Sequence, residues 1–381
     1  MALDPALSSR LTDQENRYGV SVCEPVDLVC VRADGVYLWD LEGNRYLDGW
    51  AGQGTVNQGH CHTRIAAAMV EQCLRLCLTS RTLRNDRLPA FLEKLCTFTG
   101  FDQALLLNSG TEAVQAALRG AQAWGCRHKG LEPDQGETIS FLGHWPGSGA
   151  RPTVPYGDLE ALRVAVGPHT CAVLVEPVQG GAGVTLPPKG FLRALRELCD
   201  RRGLLLIADE VQTGLGRTGR VFACDHEGVR PDATVLGKAL SGGFYPVSAL
   251  LGTREFMTGF TGTGASTYGG NPLACAVASA ALDVLTDEKL VERAAELGAY
   301  LQERLRAMDS PHLRTVHGLG LWASLHLHPE AGGARRFAER LRQEGLLCLP
   351  GGEHTLTLSP PLVINREQLD WALDKLRLVL A

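Results

Sequence analysis

Between residues 100 and 260, short apolar runs rich in β-branched residues alternate with segments of helical periodicity. Helical patterns occupy the alanine-rich segment 111–125 and FLRALRELCDRR (191–202). Strands that are apolar throughout and alternate with helices predict an α/β fold, with a mostly parallel sheet between two helical layers. The apolar runs are LLLNSG (105–110), CAVLVEP (171–177), GLLLIADE (203–210), DATVLGK (232–238) and VSALLG (247–252).

The two ends of the chain have a different pattern. The segment VCVRADGVYLWDLEGNRYLD carries turn signals at Asp34-Gly35 and Glu42-Gly43, which predict a hairpin-like unit. After residue 281, a mixed α+β portion is expected. We therefore predict a small domain built from segments 1–45 and 281–381, and a large domain over 46–280. The predicted helices of the last segment are 287–306, 334–344 and 367–379, and its predicted strands are 320–326, 346–349 and 355–359.

Composition narrows the class of protein. The chain has 381 residues, a net charge of −5 and a pI near 6.1, so no basic surface for nucleic acid is expected. No apolar run approaches the roughly 18 residues that a membrane-spanning helix needs. The first ten residues, MALDPALSSR, lack the pattern of a secretion or transit signal, and we expect a cytoplasmic protein.

The twelve cysteines are scattered, and none forms a CxxC pair. Most lie in apolar stretches, which predicts reduced core thiols rather than a disulfide framework. The cluster His60-Cys61-His62 has no acidic or thiol partner at ligand spacing, so we predict no metal site.

Two charged residues stand at the carboxyl ends of apolar strands. Asp209 ends LLLIAD, at the edge where open α/β sheets bind ligands, although a helix N-cap would explain it too. Lys238 ends TVLGK, where a lysine is costly to bury unless it is paired or used chemically. Taken alone, this position is better explained by a snorkelling lysine.

Two turns could hold a phosphate group. Asn108-Ser109-Gly110-Thr111-Glu112 leads from a strand into a helix, whose first amides can bind an anion, although simple capping by Ser109 is the alternative. The glycine-flanked loop 264–270, GASTYGG, offers further hydroxyl donors. Together the lysine, the carboxylate and these turns fit pyridoxal 5′-phosphate (PLP), which needs an amine to hold it, a carboxylate at its ring nitrogen and an anion site.

The segment LLLIADEVQTGLGRTGRVFACDHEGVRPDATVLGKALSGGFYPVSALLG resembles the signature of class III aminotransferases of the fold-type I PLP superfamily. It is most similar to the ornithine aminotransferases. The likeness extends to GVYLWDLEGNRYLD, VNQGHCHTRI, NSGTEA, VEPVQG and STYGGNPLACAVA, and so covers almost the whole chain. It implies a seven-stranded sheet in a PLP-binding large domain.

The resemblance implies the following cofactor residues. Lys238 would hold PLP as a Schiff base, Asp209 would pair with the pyridine nitrogen, and Gln212 would reach the phenolic oxygen. His144 or Trp145 would stack on the ring. The phosphate would be bound by Ser109, Gly110 and Thr111, with Ser266 and Thr267 supplied by the partner subunit of a homodimer.

The substrate half of the resemblance is incomplete. Segment 141–159, FLGHWPGSGARPTVPYGDL, is shorter than in the family and has no arginine in register, Arg151 being the nearest. Cys23 and Gln53 replace tyrosines of the ornithine enzymes, and Gly181 replaces a glutamate. In the ornithine enzymes this glutamate masks a second carboxylate-binding arginine, and the position of that arginine aligns near Thr357.

Two explanations remain open for this loss. Another arginine takes over the substrate carboxylate, with Arg81, Arg84, Arg151 and Arg217 as candidates, of which Arg217 is better explained as structural. Alternatively, the substrate or the reaction has changed. We predict an aminotransferase of ornithine-aminotransferase type that transfers a terminal amino group from an amine or amino acid to a keto acid or aldehyde. The alternatives are a PLP lyase, a replacement or C–C-bond-forming PLP enzyme, and a non-catalytic scaffold.

Overall fold

The computed structural model describes residues 7–21, 26, 28–144, 149–260 and 266–381. Its first elements are helix α1 (Leu7–Tyr18) and the antiparallel strands β1 (Cys30–Asp34), β2 (Tyr37–Asp40) and β3 (Arg45–Asp48). Positive φ angles at Gly35 and Gly43 form the two connecting turns, as the sequence predicts.

A seven-stranded sheet forms the centre of the molecule. Its strands are β4 (Gln103–Leu107), β5 (Glu137–Phe141), β6 (Thr153–Val154), β7 (Thr170–Val175), β8 (Leu205–Asp209), β9 (Ala233–Leu236) and β10 (Ser248–Gly252). They follow the spatial order β4–β10–β9–β8–β7–β5–β6, and within this sheet only β10 is antiparallel to its neighbours. Every residue of β7 and β8 is buried, because helices cover both faces. The predicted mostly parallel sheet is confirmed.

Helices pack on both faces of this sheet. The long helix α5 lies against it through the small residues Ala113, Ala117 and Ala121, which allow a close approach. The helices of this part are the one-turn α2 (Ala51–Gly54), α3 (Thr63–Cys73), α4 (Arg87–Thr99), α5 (Gly110–Lys129), α6 (Leu159–Ala165), α7 (Phe191–Arg202), α8 (Arg254–Met257) and α9 (Pro272–Asp287), with 3₁₀ turns at Ala223–Glu227, Lys238–Ser241 and Thr258–Phe260.

A second α+β portion follows. It contains helices α10 (Leu290–Arg306), α11 (Ala334–Gln343) and α12 (Arg366–Leu380), a 3₁₀ turn at Pro329–Ala331, and strands β11 (Leu313–Gly318), β12 (Ala323–Leu327), β13 (Leu346–Leu347), β14 (Leu349–Gly352) and β15 (Thr355–Leu358). Four strands form an antiparallel sheet in the order β11–β12–β15–β14. Strand β13 instead pairs in parallel with β3, so the two ends of the chain share one sheet.

The division into segments 1–45, 46–280 and 281–381 stays a prediction. Positions 45 and 280 fall inside β3 and α9, so boundaries there would have to move to the ends of these elements. None of the described helices combines the length and apolar character needed to cross a bilayer.

The described cysteines are divided between buried and exposed positions, whereas the sequence predicts mostly buried ones. All the described ones are free, and the prediction of core thiols holds for Cys171, Cys199, Cys224, Cys275 and Cys348, which are buried. It is wrong for Cys30 on an edge strand, Cys61 in a turn, Cys73 at the end of α3 and Cys77 in the loop after α3, all of which are exposed.

Candidate active site

Four side chains converge at the carboxyl edge of the central sheet. Asp209 ends β8, Lys238 follows β9, Glu176 follows β7 and His144 follows β5. Since parallel strands end at the same edge of a sheet, chain segments far apart in sequence meet here.

Lys238 occupies a strained backbone position. Its φ of +42° lies in the left-handed region, which costs a non-glycine residue about 1–2 kcal/mol. Gly237 precedes it in an extended conformation, and a 3₁₀ turn begins at the lysine itself. Its Nζ donates a hydrogen bond to Oε1 of Gln212. The backbone and this bond together fix where the amine lies.

The surroundings of Lys238 favour the neutral amine. Burial lowers its pKa from the ordinary 10.5 to about 8, since a charge removed from water is destabilised. The carboxylates of Asp209 and Glu176 act against burial and raise the pKa, whereas the guanidinium of Arg217 lowers it. A useful fraction of the amine is therefore unprotonated near neutral pH, as a nucleophile and proton carrier requires.

Asp209 is buried and held from two sides. Its Oδ1 accepts a hydrogen bond of 3.0 Å from the amide of Val211, and its Oδ2 lies 3.5 Å from Nε2 of His144. Both side chains are less than a tenth exposed. The structure therefore places His144 in the site, whereas Trp145 lies outside the described residues.

Gln212 is clamped between two glycines. A Cβ on Gly54 would lie 2.7 Å from Nε2 of Gln212, and one on Gly180 would lie 3.6 Å from its Cγ. Gly54 ends α2, in which φ is positive at all four residues, from 51° at Ala51 to 77° at Gly54. This left-handed turn brings the backbone close enough to hold the amide that contacts Lys238.

The start of α5 provides an anion site. Ser109 caps the helix by accepting a bond from the amide of Glu112, which leaves the amides of Gly110 and Thr111 without an intrahelical acceptor. A Cβ on Gly110 would lie 3.0 Å from Cγ1 of Val211, so glycine is needed for this approach to the Asp209 loop. The helix dipole adds to the attraction for a phosphate.

The loop that carries Ser266 and Thr267 lies beside this helix start. Oγ of Ser266 accepts a 2.6 Å hydrogen bond from Nδ2 of Asn108 in the same chain, and Thr267 is exposed. Arg81 reaches this loop and donates to the carbonyl of Gly269 at 3.0 Å. The contribution of Ser266 and Thr267 to a partner's site stays a prediction.

The substrate candidates are dispersed. Gln53 is exposed in the left-handed turn. Gly181 is also exposed, and a Cβ at this position would lie 3.6 Å from the carbonyl oxygen of Gly143. Arg151 pairs with Thr138 near the amino end of β5, so the structure does not bring it to the edge where Lys238 lies. Cys23 lies outside the described residues.

Arg217 has a structural environment. It is fully buried, and its two terminal nitrogens donate to the carbonyls of Leu321 and Pro360 and to Oδ1 of Asn57. Burial lowers its pKa to about 9. It ties the loop after Asp209 to the C-terminal part of the chain, and no substrate atom can reach it.

Glu176 was missed as a site residue, although VEP repeats the signal that identifies Asp209. It is an acid at the carboxyl end of a fully buried strand, it is 7% exposed, and its charge acts on Lys238. Its backbone carbonyl accepts from the hydroxyl of Tyr156 at 3.0 Å, which fixes the chain at this point.

These residues fit PLP. The amine of Lys238, with its lowered pKa, suits a covalent bond to an aldehyde. The buried carboxylate of Asp209 suits a protonated ring nitrogen, and the amides of Gly110 and Thr111 suit a phosphate. Val211 lies between the last two groups, so one ligand can span them.

Comparison with known proteins agrees with this geometry. The model of the family Aminotransferase class-III matches residues 20–151 and 149–380. The ornithine aminotransferase of Bordetella pertussis is 48% identical over 99% of this chain and 97% of its own length. The structure of Plasmodium falciparum ornithine delta-aminotransferase superposes with a TM-score of 0.95 at 38% identity, covering 98% of each chain. An acetylornithine aminotransferase from Elizabethkingia anophelis gives 0.93 at 40% identity, again over 98% of both chains.

The fold and the site thus define a PLP-dependent transaminase. The chain belongs to the class III aminotransferases, and its resemblance to the ornithine aminotransferases within that family is confirmed. The fold-type I architecture and the PLP cofactor inferred from the sequence are confirmed with it.

Proposed function

We propose that this aminotransferase removes a terminal amino group from an amine or amino-acid donor and passes it to a keto acid or aldehyde. The observation that carries the proposal is the amine of Lys238, which is held on Gln212 beside Asp209 with a pKa near 8. The ornithine aminotransferases among its relatives support a donor of this kind.

Bound PLP supplies an electron-withdrawing ring that stabilises negative charge on the donor carbon. Nζ of Lys238 would take the proton from that carbon as a base and would deliver it as an acid to the cofactor carbon that receives the amino group, and Gln212 would position Nζ for both steps. The carboxylate of Asp209 keeps the proton on the ring nitrogen, and the amides of Gly110 and Thr111 anchor the phosphate. Either His144 or Trp145 covers the ring.

Substitution of Lys238 tests the assignment. Lys238→Ala should abolish the visible absorption band of the lysine-bound cofactor and lower the transamination rate by several orders of magnitude. Exposed Lys189→Ala is the matched control and should change neither. A band and full activity that survive in Lys238→Ala would contradict the assignment and would reopen the scaffold alternative.

The second candidate is a PLP lyase, replacement or C–C-bond-forming reaction. It is favoured by the short segment 141–159 and by the position of Arg151 away from Lys238. Product mass spectrometry separates the candidates, because transamination yields one keto or aldehyde product per aminated cofactor. Loss of a leaving group without this stoichiometry would favour the alternative.

A homodimer with the site at the subunit interface is also part of the proposal. Five apolar side chains around the end of α3 and the following loop are exposed, namely Val70, Leu74, Leu76, Leu78 and Leu83. Exposed apolar patches of this kind mark interfaces, and Arg81 joins this one to the loop of Ser266 and Thr267. Light scattering should give twice the 41.0 kDa of one chain. Leu74→Asp should yield monomers with weakened PLP binding, whereas a monomeric, fully active wild type would refute the arrangement.

A cytoplasmic location completes the proposal. Fractionation of the source cells should recover the transaminase activity with the cytoplasmic enzymes, and recovery in another compartment would exclude it.

A further inference from the structure

Asp48 and His60 close a loop whose tip lies against the active site. Nε2 of His60 donates a 2.7 Å hydrogen bond to Oδ2 of Asp48, across 12 positions of the chain. The segment between them, 49–59, contains no charged residue. Gly54 lies in the middle of this segment, and a Cβ on it would be 2.7 Å from Nε2 of Gln212. The bond between Asp48 and His60 is therefore connected, through the backbone of the loop, to a residue of the active site.

The carboxylate of Asp48 is held by three donors. Its Oδ1 accepts from the amides of Trp50 and Ala51 at 2.8 and 2.9 Å, while its Oδ2 accepts from His60. The side chain of Asp48 is only 4% exposed, and that of His60 is 15% exposed. A buried carboxylate needs donors of this kind, and each of them restricts how it can turn. His60 therefore fixes the carboxylate that in turn fixes the two amides.

These two amides begin the turn that reaches Gln212. The four φ angles from Ala51 to Gly54 are 51°, 56°, 61° and 77°. Two of these residues, Ala51 and Gln53, carry a Cβ, and a left-handed conformation is unfavourable for both of them. The turn therefore needs support at its start, and the carboxylate of Asp48 provides it.

Gln212 transmits the position of the turn to the catalytic amine. Its Oε1 accepts a hydrogen bond from Nζ of Lys238. A Cβ on Gly180 would lie 3.6 Å from Cγ of Gln212, so the side chain is confined there as well as at Gly54. Because there is no free space between Gly54 and the amide of Gln212, a shift of the turn must move this amide, and the hydrogen bond to Lys238 changes with it.

We propose that Asp48 and His60 are positioning residues of this enzyme. They hold the turn Ala51–Gly54 in the conformation in which Gln212 accepts from the amine of Lys238. The amine then lies where the proposed transamination needs it for proton transfer, so the inference rests on that function and adds two residues to it.

An electrostatic route also connects Asp48 to the amine. Burial lowers the pKa of Arg217, and the charge of Asp48 partly offsets this effect. Burial lowers the pKa of Lys238 too, and the charge of Arg217 lowers it further. A substitution of Asp48 would therefore change the charges around Lys238 together with the turn. Substitutions of His60 leave the carboxylate in place, so they test the positioning role more directly.

His60→Leu removes the donor to Asp48 and keeps a side chain of similar size. In the cofactor-free full chain, competitive labelling of Lys238 with trace acetic anhydride over a pH series, read by mass spectrometry, should show a pKa lowered by roughly 0.5–1 pH unit, because the bond to Gln212 stabilises the charged amine. With the holoenzyme and ornithine as donor, kcat should fall about 3- to 10-fold with little change in KM. His60→Gln keeps a terminal amide that can donate to the same carboxylate, and it should restore both values.

His62→Leu is the matched control. Nε2 of His62 forms an equivalent bond of 2.9 Å to Oε1 of Glu288, and its side chain is 16% exposed, yet this bond lies outside the loop that Asp48 and His60 close. The control should lower neither the pKa of Lys238 nor kcat. A pKa and a kcat unchanged in His60→Leu, or equal losses in the two leucine variants, would overturn the inference even if His60→Leu lowers the free energy of unfolding.

Two glycine variants test the contact at the tip of the loop, and they decide the question if His60→Leu fails to fold. Gly54→Ala would place a Cβ 2.7 Å from Nε2 of Gln212, whereas Gly52→Ala, also at a positive φ, would meet only Cβ of Thr55 at 4.0 Å. The pKa of Lys238 and kcat should fall further in Gly54→Ala, and equal effects would contradict transmission through Gln212.

The two readouts separate this inference from the proposed function. A wild type that is inert toward ornithine and every other amine or amino-acid donor would contradict the proposed transamination. The labelling of Lys238 needs neither cofactor nor donor, so an unchanged pKa in His60→Leu and in Gly54→Ala would overturn the positioning role by itself.

Discussion

Replacing Lys238 by methionine should stabilise the cofactor-free protein. Methionine matches the lysine side chain as far as Cε and removes the amine that burial penalises. A pKa of about 8 in the folded state, against 10.5 in the unfolded chain, makes the protonated lysine about 3 kcal/mol less favourable in the folded protein at pH 7. The lost bond to Gln212 offsets about 1 kcal/mol of this gain.

The sign of the pH dependence is fixed by the same values. Between pH 8 and 10.5 the unfolded chain binds more protons at Lys238 than the folded chain, so wild-type stability rises with pH through this window. The penalty on the lysine falls below about 1 kcal/mol at pH 10. The advantage of Lys238→Met should therefore be largest near neutral pH and should vanish at pH 10.

Urea unfolding of the cofactor-free proteins at pH 7 and pH 10 measures both quantities. The matched control is Lys189→Met at an exposed position, where a change within about 0.5 kcal/mol is expected at either pH. A variant less stable than wild type at pH 7, or an advantage unchanged at pH 10, would refute the reasoning.

Three further substitutions probe the supporting structure. Gly110→Ala should weaken PLP binding at least severalfold in a fluorescence titration, because the added Cβ would meet Val211. Gly167→Ala is the control, since a Cβ there would have nothing within 4 Å, and it should leave PLP affinity unchanged. Equal PLP affinities of the two variants would argue against a tightly packed start of α5. Arg217→Met should lower the free energy of unfolding by about 3–5 kcal/mol, because it strands three buried acceptors, and a neutral result by urea unfolding would exclude the bridging role. Gln53→Gly should raise Tm, because glycine adopts the φ of 61° without strain, and the free energy of unfolding should rise by up to about 1 kcal/mol. A lower Tm would mean that contacts of the Gln53 side chain stabilise the turn.

The central sheet could be predicted from the sequence because its strands are locally encoded. Apolar runs with a charged residue at the carboxyl end gave both the strand positions and the side of the sheet where Asp209 and Lys238 meet. Local pattern also predicted the capped start of α5. Gln212 came from family resemblance; the structure brings it into contact with Lys238, and its expected contact with the cofactor stays a prediction.

Other features could not be predicted in this way, either because the residue type gives no local sign of them or because they depend on distant residues. The left-handed turn at Ala51 is fixed by the carboxylate of Asp48, which accepts from the amides of Trp50 and Ala51, and alanine itself gives no sign of it. Arg217 finds its acceptors more than 100 positions along the chain. Arg151 was a candidate only because it is the nearest arginine in the sequence, and the shortened loop left its position open until the structure paired it with Thr138.

The parallel pairing of β3 with β13 has a consequence for biosynthesis. Leu47 pairs with Leu346, so the edge of β3 stays unpaired during synthesis until a strand about 300 residues further along the chain has been translated. At ordinary elongation rates of about 5–20 residues per second, the wait is on the order of 15–60 s. During that interval the N-terminal strands expose an unpaired edge to which other nascent chains can bind. We expect a ribosome-bound chaperone to bind first at this edge.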